Sequence, residues 1–318
     1  MRIDVGTPFG GLDEDEVQSV RVEGRLMGAD IDAMQHGHRL HMGSVIPFSS
    51  CTCPQALVPI LRVNVRNDFP SPGIAIGNGQ LVKPRDHITQ RGRHRKVGPM
   101  KIGIIGAGNI GGNLTRRLTA LGHDVSIANS RGPETLSALV EETGATAVTA
   151  AEAARGAQVV VVTVPLKAVP DLPAGLIDGA AEGVAVIDTG NYYPQQRDGR
   201  IAAIEDGTPE SRWTEEQIGH PVIKAFNGTY AQDILSNGLP GGSPGRQALP
   251  VAGDDAAAKQ IVRDLIDELG FDTVDAGGLD ESWRQQPGTP VYGHQGDAEA
   301  IVKALAEASP ERTAEWRA

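Results

Sequence analysis

The stretch KIGIIGAGNIGG, beginning at Lys101, sets Gly106, Gly108 and Gly111 at the spacing G-x-G-x-x-G. The first glycine permits a tight turn out of a strand. The second lets the backbone approach a bulky anion, and the third lets a helix pack closely on the strand. A helix opening at Asn109 and Ile110 then turns free N–H groups and the positive end of its dipole toward a phosphate. Arg131 lies 20 residues after Gly111, where proteins of this pattern carry an acid for the ribose hydroxyl of NAD. This chain has Asn129, Ser130 and Arg131 there instead. An arginine fork matches phosphate oxygens, and serine and asparagine add further donors. The pattern selects a 2′-phosphate, and so NADP(H).

More chemistry-bearing residues follow apolar runs. VVVVTVPLKAV supplies Thr163, Val164 and Pro165; VIDTGNYYP supplies Asp188, Thr189, Asn191, Tyr192 and Tyr193; VIKAFN supplies Lys224 and Asn227. In open parallel sheets, ligands bind beyond the carboxyl ends of the strands, so Thr163–Pro165 and Asn227 are expected beside a cofactor's ribose and nicotinamide. The histidines of this part are His123, His220 and His294, and the first two read as structural. No Ser/His/Asp set, paired acids or metal cluster emerges, and no catalytic residue is assigned. Hydride transfer between stacked redox cofactors needs alignment and exclusion of water more than a strong acid or base.

The elements that must position these residues alternate regularly from Met100 onward. Strands are expected at 101–105, 124–128, 158–164, 184–188, 222–225, 248–252 and 271–275, several of them unbroken Val/Ile runs suited to burial on both faces. Helices are expected at 109–121, closed by Gly122, at 134–142, closed by Gly144, and at 254–269, opened by an acid and closed by Gly270. This order predicts an α/β fold: a Rossmann-type, doubly wound parallel sheet over 100–228, then a small C-terminal α/β lobe and tail over 229–318.

Residues 1–99 read differently. They carry 12 Lys/Arg against 10 Asp/Glu, a net +2 that leaves −13 for the rest of a chain whose total is −11. Both cysteines, Cys51 and Cys53, and five of the eight histidines lie there. A C-x-C pair with His36, His38 and His41 lacks defined zinc spacing, and no metal site is assigned. The basic run 91–96 reads as a solvated linker. Only 56–65 looks like a strand. The segment is expected to be disordered or a misassigned extension, with translation starting at Met100. The acidic balance argues against nucleic acid, and no run reaches membrane-spanning length. The expectation is a cytoplasmic protein acting on a small-molecule redox acceptor without nucleic acid or membrane. A helical, acidic tail including 298–308 is available to the lobe or to a second subunit in a homodimer.

From Met100 to Tyr292 the chain resembles the F420-dependent NADP oxidoreductases, through MKIGIIGAGNIGG, NSR after the second strand, VVVVTVP and LPVAGDDAAAK. VIKAFN and DAGGLDESWR also resemble the cytosolic oxidoreductase domain of the six-transmembrane ferric reductases. The resemblance implies a Rossmann domain with a small lobe closing over the acceptor, Ser130 and Arg131 on the 2′-phosphate, and Thr163–Pro165 flanking the cofactor. It implies coenzyme F420 or a flavin as second redox partner. NYYPQQRDGRI and WRQQPGTPVYG depart from the F420 enzymes, so Tyr192, Tyr193, Trp283, Arg284 and Tyr292 are candidates for an acceptor pocket, aromatic faces stacking on a ring and Arg284 meeting an anionic tail. Two alternatives stand beside this reading. One is an NADPH-dependent reductase of a small imine or carbonyl, like pyrroline-5-carboxylate reductase, with Tyr192, Tyr193 or Lys224 as proton donor. The other is an NADPH-binding redox sensor without turnover.

Overall fold

A single valine run shows how the interior is divided. In Val159–Val162, alternate side chains point to opposite faces, so Val159 and Val161 join one buried cluster and Val160 and Val162 another. Neighbouring strands split likewise: Ile102 and Ile104 lie on the first face, Ile105 and Val186 on the second. Each buried valine, leucine or isoleucine contributes roughly 1.5–3 kcal/mol. The computed structural model of the protein describes residues 98–318. The strand expected at 56–65, the basic run 91–96 and the Cys51, Cys53, His36, His38 and His41 group lie outside the described residues.

The first six strands are β1 (Lys101–Ile105), β2 (Asp124–Ala128), β3 (Thr146–Ala147), β4 (Val159–Val162), β5 (Ala185–Asp188) and β6 (Ile223–Lys224). They pair in parallel in the order β3-β2-β1-β4-β5-β6, the doubly wound arrangement whose direction reverses between β1 and β4. Helices α1 (Asn109–Ala120), α2 (Ser137–Thr143), α3 (Ala150–Ala154), α4 (Ala202–Glu205) and α5 (Glu210–Ile218) lie between them, and α6 (Ala231–Ser236) follows β6. On the second face α3 lies so close to β1 that a side chain at Gly103 would collide with the Ala153 carbonyl.

A parallel pair follows, β7 (Ala248–Val251) and β8 (Asp272–Asp275), with α7 (Ala256–Leu269) between them and α8 (Ala298–Glu307) after them. Val262, Leu265, Ile266 and Leu269 of α7, with Leu249 and Val251, belong to the same buried cluster as β1, β4 and β5. Ile301, Ala304 and Leu305 of α8 cover the other face, with Ala248 and Val274. The two sheets are joined by an antiparallel bridge between Lys224 and Ala252, with N–H···O distances of 2.8 and 3.1 Å.

The expected boundaries shift for local reasons. The helix expected from Asp254 starts one residue later: Asp255 is the cap, accepting from Ala257 N and Ala258 N, while Asp254 accepts from Leu279 N and pairs with Arg212. The helix expected at 134–142 begins as a 3-10 turn, Pro133–Leu136, because Pro133 follows Gly132 at φ 98°. Among the described residues, no helix is long and apolar enough to cross a membrane.

Candidate functional site

The three glycines of the loop after β1 are required for different reasons. A side chain at Gly106, where φ is 114°, would strike the Thr163 carbonyl, and one at Gly111 would strike the Gly106 carbonyl. Both are fixed by the protein's own packing of α1 and the end of β4 against β1. Gly108 has extended backbone, φ −78° and ψ −166°, and a Cβ there meets no atom within 4 Å. Nothing inside the protein demands glycine at 108. The demand comes from outside, as it does where a backbone must approach a pyrophosphate. Gly108 is also the cap residue of α1 and offers no side-chain acceptor. The exposed Asn109 and the half-buried Ile110 therefore open a helix whose first N–H groups remain available to an anion.

Beside this loop, Gly106 N donates to Ala128 O at 2.8 Å and Thr163 N donates to Ile105 O at 2.8 Å, gathering the ends of β1, β2 and β4. The turn after β2 is built by Asn129. Its Oδ1 accepts from Arg131 N at 2.9 Å and its Nδ2 donates to Thr135 Oγ1 at 2.9 Å, while Thr135 Oγ1 donates to Gly132 O. Asn129 is thus spent on shaping the turn. Ser130 and Arg131 are exposed, and among the described residues neither side chain has a partner. A cationic fork and a hydroxyl, held side by side by a fixed turn next to a phosphate loop, are a fit for the 2′-phosphate of NADP.

The ends of β5 and β6 are organised in the opposite way. Asp188 accepts from Gly190 N at 2.8 Å through one oxygen and from Ser211 Oγ at 2.6 Å through the other. Lys224, fully buried, donates to Gly190 O at 2.9 Å, with Asp188 Oδ2 at 3.9 Å and Glu210 Oε2 at 3.8 Å. Glu210, at the start of α5, also pairs with Arg312 at 2.8 Å. Burial drives the Glu210 carboxyl above its ordinary range, and Lys224 and Arg312 offset only part of that. Two acids and two bases thus balance one another in the interior. Next to them Phe226 is the one non-glycine described residue with positive φ, 63°. That costs roughly 1–3 kcal/mol. It turns Asn227 inward, where Nδ2 donates to Gln285 O at 2.6 Å and to Asn191 Oδ1 at 3.1 Å, and Asn191 Nδ2 returns a bond to Asn227 O at 2.8 Å. Among the described residues, Asn227 Oδ1 and both polar ends of the Gln285 side chain are buried without hydrogen-bond partners.

The aromatic residues divide. Tyr192 is buried beneath the Arg312 guanidinium, 5.3 Å from its ring, and its hydroxyl accepts from Ile201 N at 3.0 Å. Tyr193 and Tyr292 share a hydrogen bond through their hydroxyls, and Arg197 lies 4.9 Å over the Tyr193 ring. Burial and the Tyr193 hydroxyl raise the Tyr292 phenol above its ordinary value. Arg284 does not face an open pocket as expected: it pairs with Glu281 at 2.6 Å, reaches Leu305 O and stacks 4.5 Å over Trp283. Three residues before it stands an acid, and the short helical turn brings the two together. The candidate proton donors Lys224 and Tyr192 are sealed and already bonded, leaving the Tyr193–Tyr292 pair half-buried.

The structure thus brings Gly106, Gly111, Thr163 and the Asn129–Arg131 turn together at one end of the sheet's carboxyl edge. It brings Asn227, Asn191, Tyr193 and Tyr292 together at the other, where Gly293 N donates to Gly228 O at 3.1 Å. Sequence reasoning missed Glu210, Ser211, Gln285, Gln286, Arg312 and Trp316. Lys224 inside an apolar strand was a usable signal for the first of these, since a buried ammonium requires an acid close by.

The sequence profile of the family described as NADP oxidoreductase, coenzyme F420-dependent, matches residues 101–192. Protein YjhV of Escherichia coli (strain K12) is 48% identical over 69 residues, 22% of this chain and 50% of its own, so the chain spans about half the length of this curated relative. The solved structure of the hypothetical protein SMa0349 from Sinorhizobium meliloti is 31% identical with a TM-score of 0.53, over 61% of this chain and 94% of its own. A candidate F420-dependent NADP reductase from Arthrobacter sp. FB24 is 25% identical with a TM-score of 0.45, over 57% of this chain and 86% of its own.

Proposed function

Because the chain belongs to the family described as NADP oxidoreductase, coenzyme F420-dependent, we propose that it moves a hydride between NADP(H) and a deazaflavin, coenzyme F420, or a flavin. In this reading the chain is an NADP-dependent oxidoreductase, and the acceptor is the step beyond. The observation that carries the cofactor assignment is the pairing of an unobstructed Gly108 with the exposed Ser130 and Arg131, whose side chains have no partner among the described residues. When bound, NADPH supplies a hydride from its nicotinamide ring. In this reading the amides opening α1 at Asn109 and Ile110, past Gly106, Gly108 and Gly111, hold the pyrophosphate. The Ser130 hydroxyl and the Arg131 guanidinium hold the 2′-phosphate, and Asn129 keeps their turn in shape. Thr163, Val164 and Pro165 flank the ribose and nicotinamide. Asn227, clasped to Asn191, lines the far side.

The acceptor reading draws on Tyr193 and Tyr292, whose rings stand beside the Asn191–Asn227 clasp. Planar stacking and exclusion of water are what hydride transfer between two rings requires. One observation favours the small imine or carbonyl alternative: the two phenols are hydrogen-bonded to each other, which suits the delivery of a proton to a substrate heteroatom.

The test is steady-state oxidation of NADPH, and then NADH, by the full chain with coenzyme F420, FMN, FAD, ferric chelate and a cyclic imine. Expected are a clear preference for NADPH and turnover with F420 or a flavin. Preference for NADH overturns the role of Arg131. Turnover confined to a cyclic imine selects the alternative, and tight NADPH binding with no turnover selects a sensor.

A further inference from the structure

The segment after α8 returns to the candidate acceptor site. Of residues 309–318 only Arg312 and Trp316 are even partly buried. Trp316 lies with its ring 5.9 Å from that of Tyr193, tilted 49°, and 6.4 Å from that of Tyr292, at 66°. Its floor is Gly288, where φ is 87° and a Cβ would press on the indole at 2.6 Å from Cδ1 and 2.8 Å from Nε1. Two tyrosine rings, both inclined to the indole, and a bare glycine backbone therefore bound a slot that an aromatic ring, the Trp316 indole, fills.

The segment is anchored at Arg312, which donates to the buried Glu210 at 2.8 Å and to Gln286 Oε1 at 2.9 Å. Beyond Arg312 it is held more lightly: Gln195 Nε2 donates to Ala314 O at 3.2 Å and to Arg317 O at 3.1 Å, and Ala318 N donates to Glu205 Oε1 at 2.9 Å. Residues 313–318, exposed apart from Trp316, therefore open at little cost in free energy. Beneath the segment, Gln286 is buried, and its Nε2 has no hydrogen-bond partner among the described residues. A ring with a carbonyl or ring nitrogen on its edge would satisfy that donor; an indole, which only donates, does not.

We propose that the Tyr193–Tyr292–Gly288 slot seats the planar heteroaromatic ring of the acceptor, and that Trp316 is its intramolecular occupant, displaced when the acceptor binds. This rests on the acceptor reading above and adds to it a location and a competitor. Exchange of one aromatic face for another costs little, and a strap closed for nine-tenths of the time lowers apparent affinity about ten-fold.

The experiment compares the full chain with its Trp316→Ala and Gln195→Ala variants. It measures Kd for FMN and for coenzyme F420 with NADP+ present, and hydrogen exchange over residues 312–317. Expected are binding of at least one probe about five- to ten-fold tighter in Trp316→Ala and tighter by a smaller factor in Gln195→Ala. The Kd for NADPH should stay within about two-fold, and exchange at 312–317 in the unaltered chain should rise on adding the probe. Unchanged or weaker probe binding in Trp316→Ala, or exchange that falls on binding, overturns displacement and makes Trp316 a wall or a closing lid, while the acceptor reading survives. Failure of both probes to bind any variant overturns the acceptor reading and the proposal together.

Discussion

At the carboxyl ends of β1 and β2 the chain leaves its charged fork and a hydroxyl uncommitted: among the described residues the exposed Ser130 and Arg131 side chains have no partner, and Gly108 borders open space. At the ends of β5 and β6 it commits its charged groups to one another: Asp188, Ser211, Lys224, Glu210 and Arg312 close into one network, and Asn191 clasps Asn227. The first arrangement stores binding capacity for a ligand that brings its own negative charge. The second holds a shape, a surface ordered before any ligand arrives.

The comparison breaks most visibly at Lys224. Lys224→Met leaves Glu210 and Asp188 buried beside a missing cation and should cost about 3–5 kcal/mol. That corresponds to a fall in Tm of about 10 °C for a domain of this size. Because burial raises the Glu210 carboxyl in the folded state, its contribution to stability is present below its unfolded value and is lost as pH rises through the folded one. The Tm deficit of the variant, measured by calorimetry, should therefore shrink as pH is lowered from 8 toward 5.

The glycines sharpen the contrast. Gly106→Ala meets both the Thr163 carbonyl and a φ of 114°, and a loss of about 2–4 kcal/mol should appear in thermal unfolding. Gly108→Ala should leave Tm within about 2 °C yet weaken NADPH binding by more than about ten-fold, because its side chain meets only the ligand. Arg131→Ala should weaken NADPH by about ten- to a hundred-fold, a loss of about 1.5–3 kcal/mol, and leave NADH nearly unchanged by titration. The smallest effect belongs to Arg284→Ala. That side chain is held by Glu281, and kcat/KM with any acceptor should move by less than about two-fold.

Legibility in the sequence followed the same division. Gly106, Gly108, Gly111 and the Ser130–Arg131 turn lie within 26 residues, and their meaning comes from local backbone geometry and spacing. Strands such as Val159–Val162 declared themselves by unbroken β-branched runs. β3 is two residues long and α3 five, too short for any period to register. The interior network was illegible because its members come from distant segments: Glu210 opens a helix that reads as solvated, and Arg312 lies in a strap of exposed residues. Arg284 read as a ligand-facing cation because its sequence neighbours are aromatic, whereas an acid one helical turn away claims it.

The bridge between Lys224 and Ala252, with the buried cluster shared by β4 and α7, carries a mechanical consequence. Gly253 packs on the Ile223 side chain and on Val222, so the strand ends of the two sheets are welded at the very place where a hinge would have to bend. The lobe and the larger sheet then behave as one lever arm. Any motion that admits a ligand then falls to surface pieces, as proposed for the end of the chain beyond Arg312, and such a piece can be tuned without slackening the frame.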